Sequence, residues 1–210
     1  MSQLWPGVYS SVYKSLTLHL RRYKLRQLIG HQTPLKIVVG ASGIYEAGWI
    51  PTEVATLNLL RPDDWAYYFS KSPIDAIVAE HVWEHLTEKE GIVAATNCHN
   101  YLKIGGYLRV AVPDGFHPNR EYINRVRPGG AGPGADDHRV LYNHLSFREV
   151  FKKVGFQVEL LEYFDEHGQF HFQDWDPLDG MIRRSRSHDS RNKEGILNYT
   201  SLILDAKKAL

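Results

Sequence analysis

The chain has 210 residues, 43% of them hydrophobic and 23% charged, with a formal net charge of +1, which suits one domain with a sizeable core or a domain plus a small appendage. A charge so close to zero excludes an overall field that would gather nucleic acid or an anionic membrane. One cysteine, Cys98, excludes an internal disulfide, no apolar run approaches the roughly 18 residues of a membrane span, and the N-terminus lacks a signal-peptide core, so a cytoplasmic protein is expected.

Residues 1–10 carry no clear signal. From Ser11 to Ile29, Val12, Leu16, Leu20, Tyr23 and Leu28 recur near helical spacing among Lys14, Arg21, Arg22, Lys24 and Arg26, which predicts a basic amphipathic helix. Residues 1–34 are therefore read as an N-terminal helical segment and 35–210 as the main domain. Pro34 stops the helix. Leu35 to Val39 (LKIVV) predicts the first strand, followed by Gly40-Ala41-Ser42-Gly43, a loop whose glycines allow close backbone approach to a ligand. Gly48 to Glu53 (GWIPTE) predicts a second strand ending on a carboxylate. Strand, glycine loop and acidic strand end form an arrangement that binds a nucleoside, the carboxylate accepting hydrogen bonds from ribose hydroxyls. The span from Gly40 to Gly48 is too short for the crossover helix of a dinucleotide fold, which argues against an NAD enzyme.

Pro62, Asp63 and Asp64 open a helix through Phe69. Asn58, in the connection before it, has an amide able to read an adenine edge, though Asn is equally a turn former. Ile74 to Ala79 (IDAIVA) has the continuous apolar character of a strand buried on both faces. It runs straight into Glu80, His81, Glu84 and His85, at the sheet edge where open α/β folds bind ligands. A helix over Glu88 to Leu102 and a strand over Tyr107 to Val112 follow. Asp114 stands at that strand's tip, either contacting a substrate hydroxyl or amine or simply forming the turn. Residues 115–137 form a long glycine-rich loop over the active edge. Past His138 and Tyr142, Ser146 as N-cap and Glu149 as its capping-box partner predict a helix ending at Gly155. Strands over Phe156 to Tyr163 and Tyr199 to Asp205 enclose an aperiodic insertion, 164–198, expected beside the active edge. Its His167, His171, Asp174 and Asp176 lack the spacing of converging ligands, so no metal site is expected.

This ordering resembles the class I S-adenosylmethionine-dependent methyltransferases, in particular the small group related to the type 11 domain. VVGASG, GWIPTE, IDAIVAEHVWEHL (as a fourth strand), LKIGGYLRVAVPD (as a fifth) and DDHRVLYNHLSFREVFKKVGFQV carry the resemblance over roughly Leu35 to Tyr163. It implies an α/β Rossmann-like three-layer sandwich with a mostly parallel seven-stranded sheet and an antiparallel last strand. It also implies S-adenosylmethionine as cofactor; the acceptor is not identified by the sequence, a small molecule is expected, and the near-neutral charge argues against nucleic acid. By the same resemblance Gly40, Ala41 and Gly43 approach the cofactor's methionine part, Glu53 its ribose, Asn58 and Leu59 its adenine, and Glu80 and His81 the floor near the transferring methyl. His138, Tyr142 and Asp114 are the candidates for contacting the acceptor, with His138 the candidate base. Two other readings stay open. His81, Glu84 and His85 also spell H-x-x-E-H, the zinc signature of inverted metallopeptidases, and the fold could serve as a non-catalytic scaffold.

Overall fold

Lys36–Val39 and Ile74–Glu80 are too apolar to leave a face in water, and both become interior strands of one sheet. The computed structural model describes residues 6–194 and 196–210, with side chains from residue 16 onward. Its strands are β1 (Lys36–Val39), β2 (Ile50–Thr52), β3 (Ile74–Glu80), β4 (Leu102–Pro113), β5 (Gln157–Phe164), β6 (Phe170–Phe172) and β7 (Ser201–Lys207). They lie in the order β2-β1-β3-β4-β7-β5-β6. The first four pair in parallel, β7 runs against β4 and β5, and β6 runs against β5. The result is the expected Rossmann-like, mostly parallel seven-stranded sheet whose last strand is antiparallel. The strands are recruited differently from the expectation, however. No strand intervenes between β2 and Ile74, so Ile74–Glu80 is the third strand in the chain, and the hairpin strand β6 completes the seven.

The helices are α1 (Pro6–His31), α2 (Pro62–Phe69), α3 (Glu88–Tyr101), α4 (Arg120–Val126) and α5 (His144–Lys152). Four of them cover one face of the sheet. Ile37, Ile77, Leu108 and Leu204 pack there against Trp65 and Phe69 of α2, Ala94 and Cys98 of α3, Phe147 and Phe151 of α5, and Leu25 and Ile29 of α1. Burial of each large apolar side chain is worth roughly 1.5–3 kcal/mol. The α1 stripe differs from the expected one: Leu16, Leu20, Tyr23 and Leu28 are exposed, because only the face bearing Leu25 and Ile29 reaches the core. Val12 and Lys14 lie outside the described side chains. Helix α5 also starts earlier than expected. Asn143 is its N-cap, accepting from the Leu145 and Ser146 amides, while the Ser146 hydroxyl accepts from the Asn143 N–H.

The opposite face carries a smaller cluster, in which Ala76, Val78, Ala111 and Ile203 meet Trp49, Leu161, Ile182 and Trp175. None of α1, α2, α3 or α5 contributes to it. The third layer is the aperiodic insertion itself, laid on the sheet and fastened by polar side chains. Arg109 on β4 pairs bidentately with Asp205 on β7 at 2.8 and 3.0 Å, under the Trp175 ring. Its remaining nitrogen donates to the carbonyls of Asp176 and Gly180. A charged pair on a sheet face tolerates burial only with its leftover donors satisfied, and the insertion supplies those acceptors. Glu162 on β5 accepts in the same way from the Trp175 indole, the Arg186 amide and the Thr200 hydroxyl.

Candidate active site

The carboxyl ends of β1 and β3 lie side by side, and both turn sharply. After Val39 the chain takes left-handed conformations at Gly40, Ser42 and Gly43, with φ of 63°, 48° and 77°. At Gly40 a Cβ would stand 2.8 Å from the Val82 side chain, so the loops after β1 and β3 approach too closely for any other residue. The Ala41 N–H donates to the Thr52 carbonyl and ties this loop to the tip of β2. After Glu80, His81 also adopts φ of 56°. A left-handed histidine costs roughly 1–2 kcal/mol. Its surroundings hold it there: its N–H donates to the Ala111 carbonyl, Nε2 lies 2.9 Å from the Ser201 hydroxyl, and Nδ1 lies 3.0 Å from Glu84 Oε1.

Above these tips opens a cavity of about 840 Å³. Gly40, Ala41 and Val39 form part of its floor; Trp49, Ile44 and Met181 give it an apolar wall; Glu84, His85 and His138 close one end. The insertion supplies the remaining wall through Arg183, Arg184 and the segment His188 to Arg191. Glu80 anchors that wall, its carboxylate accepting from the backbone N–H groups of Arg183 at 3.1 Å and Arg184 at 2.8 Å. The Arg183 guanidinium pairs with Glu46 across the opening. Arg191 pairs bidentately with Asp189 and lies 3.4 Å above the Tyr199 ring. Burial acts to raise the Glu84 pKa, but the neighbouring His81 and His85 imidazoles outweigh it and hold the carboxyl below its ordinary range.

Of the residues expected from the sequence, Gly40, Ala41, Glu80, His81 and His138 line the cavity, and Gly43 sits in the adjoining exposed turn. Glu53 is exposed just beyond the tip of β2, outside the lining. The structure does not bring the others in. Asn58 caps the following turn, its side-chain oxygen accepting from the Leu60 N–H, and Leu59 is a core residue. Asp114 is fully buried, and its carboxylate accepts from the Phe164 and Phe116 amides at 2.7 and 2.9 Å. Burial pushes its pKa up to about 6 against those two hydrogen bonds. Tyr142 packs on Phe147 in the main core, and burial raises its phenol to about 12. Neither lines the cavity, because a strand tip and a following loop can point into the core as readily as into a cleft.

The metallopeptidase geometry is likewise not formed. His85 ends the 3-10 turn Trp83–His85 and His81 lies before it, so the two are not carried on adjacent turns of an α-helix, and His81 Nε2 is directed to Ser201. Among the described residues His167, His171, Asp174 and Asp176 form no common cluster; His171 pairs with Asp165 at 2.7 Å and stacks on Tyr163. What sequence reasoning missed is the insertion's contribution. The run Arg183 to Arg191 is dense in arginine and histidine, but its contacts reach back about a hundred residues to Glu80, which no local pattern reveals.

No protein-family model matches the chain, and no curated protein matches it. Among solved structures, the chain is similar to a SAM-dependent methyltransferase from Archaeoglobus fulgidus at 15% identity, covering 91% of this chain and 94% of that one, with a TM-score of 0.46. A SAM-dependent methyltransferase from Thermotoga maritima, described as a possible histamine N-methyltransferase, matches at 13% identity over 96% of this chain and 95% of that one, with a TM-score of 0.47. A chain from the complex of the Haloferax volcanii Trm112 methyltransferase activator with a putative methyltransferase matches at 8% identity over all of both chains, with a TM-score of 0.48.

Proposed function

We propose that the chain is an S-adenosylmethionine-dependent methyltransferase acting on a small molecule held in the cavity between the Gly40 loop and the insertion. The observation that carries this reading is the cavity of about 840 Å³ at the carboxyl ends of two adjacent parallel strands. That volume suits a nucleoside-sized cofactor with a second small molecule beside it.

The residues present fit the cofactor. The tight Gly40 turn leaves bare backbone at the floor for its amino-acid end. The Trp49, Ile44 and Met181 wall offers apolar surface for a base, in place of Asn58 and Leu59. Glu53, exposed at the neighbouring strand tip, is the carboxylate we assign to the ribose hydroxyls. When bound, the cofactor supplies a methyl group on a sulfonium, a leaving group already activated. The protein's own share is to position the two reactants and to exclude water. The insertion, anchored through Glu80, does the second. His138 is the one acceptor-side candidate in the cavity. Its Nδ1 faces the Val126 carbonyl at 2.6 Å, which leaves Nε2 with its lone pair to take a proton.

Isothermal titration of S-adenosylhomocysteine tests this reading. One site per chain with micromolar affinity is expected; no detectable binding would favour a scaffold with this fold.

A further inference from the structure

One end of the cavity is built from two distant pieces of chain. The carbonyl of Glu84 accepts from the amides of Arg139 at 2.7 Å and Val140 at 3.3 Å, which brings His138 up against the turn that bears Glu84 and His85. The His85 and His138 rings meet edge to face with centroids 4.8 Å apart. Glu84, His85 and His138 each present one ligand-type atom, and all three atoms lie within 4.8 Å of one another.

The chemistry of each group points the same way. The Glu84 carboxylate is 1% exposed; Oε1 faces His81 Nδ1 at 3.0 Å, and Oε2 has no hydrogen-bond partner among the described residues. A buried carboxylate left in that state is costly and calls for a partner. A carbonyl can only accept, so the 2.6 Å contact with Val126 places the His138 proton on Nδ1 and leaves Nε2 free as a donor of electrons. His81 Nδ1 faces Glu84 Oε1, an orienting contact of the kind that metal-bound side chains use, while His85 Nδ1, 3.4 Å from Asp137, makes no hydrogen bond of its own.

We propose that Glu84, His85 and His138 form a binding site for a divalent transition-metal cation, with an open coordination position facing the cavity. Two imidazoles and one carboxylate suit zinc and its neighbours better than magnesium or calcium. Ligands 2.0–2.1 Å from a tetrahedral ion stand about 3.3 Å apart, so binding draws the half-buried His85 inward. The site stands independently of the cofactor. Its consequence for substrate does rest on the methyl-transfer reading: a cation here holds an acceptor hydroxyl and lowers its pKa, and His138 serves as a ligand rather than as the base.

Metal-stripped protein titrated with Zn²⁺ by calorimetry, and with Co²⁺ by visible absorption, tests the site without any cofactor present. One equivalent per chain is expected, with the d–d bands of cobalt in a nitrogen and oxygen site. His85→Ala and His138→Ala should each weaken binding at least tenfold, while His171→Ala, remote from the cluster, should not. His85 is half-buried, so its variant keeps the test usable if His138→Ala does not fold. Failure of the wild type to bind one equivalent, or unchanged affinity in a folded cluster variant, would overturn the proposal. S-adenosylhomocysteine calorimetry on the same preparations reads the cofactor pocket separately, so the two proposals fail independently.

Discussion

Asp114 and Glu53 are both acids at strand tips, yet they stand in opposite surroundings. Asp114 is buried and holds two backbone amides, those of Phe116 and Phe164. Leaving both unpaired in Asp114→Ala should cost about 2–4 kcal/mol in urea denaturation, with cofactor affinity unchanged. A loss of activity without a loss of stability would return Asp114 to the chemistry. Glu53 is exposed, and Glu53→Ala should leave stability alone while weakening S-adenosylhomocysteine binding about tenfold, or roughly 1.4 kcal/mol. Unchanged affinity would place the ribose elsewhere. Both acids looked alike in the sequence, where position along a strand is legible and the direction of a side chain at its tip is not. His117 is a third residue with a consequence. It stacks on Tyr122 with centroids 3.9 Å apart, and burial pulls its pKa from 6.5 down to about 4. The unfolded chain then takes up the proton more readily than the folded one. Stability from this group is therefore complete above pH 6.5 and declines as pH falls towards 4. Denaturation midpoints across that range should fall less steeply in His117→Phe than in the wild type.

At the scale of elements, the insertion is held by side chains rather than by its own periodicity. Three carboxylates do most of it: Glu80, Glu162, and Asp205 acting through Arg109. Arg109→Met leaves Asp205 buried and alone, which should cost about 3–5 kcal/mol. In Glu162→Ala the Trp175 indole, the Arg186 amide and the Thr200 hydroxyl lose their acceptor. Trypsin should then cut more quickly among Arg183, Arg186 and Arg191 than in the wild type; unchanged cleavage would mean the layer is fixed by its apolar contacts. This layer was the least legible part of the chain. β1 and β3 announce themselves through continuous apolar runs, and α3 and α5 through capping residues within a turn of their starts. The insertion's partners lie on four different strands, so its conformation exists only once the sheet does. Helix α1 shows a milder form of the same limit. Leucines stand on several of its faces, and tertiary contact selected Leu25 and Ile29.

Over the whole molecule, helices cover one face of the sheet and an anchored loop layer covers the other, and the cavity opens where the parallel strands end beneath that layer. A formal charge of +1 gives the molecule no overall field, so recognition rests on the cavity's own walls. A ligand bound only by the folded state stabilises it, by about 2.7 kcal/mol at a hundred times its dissociation constant. Saturating S-adenosylhomocysteine should therefore raise the melting temperature of the wild type. A crystal structure grown with S-adenosylhomocysteine tests the cofactor site most directly. Density is expected across the carboxyl ends of β1 and β3, with the amino-acid end on the Gly40 turn and the base against Trp49. Density at another surface, or a cavity that stays without it while calorimetry detects no binding, would contradict that site.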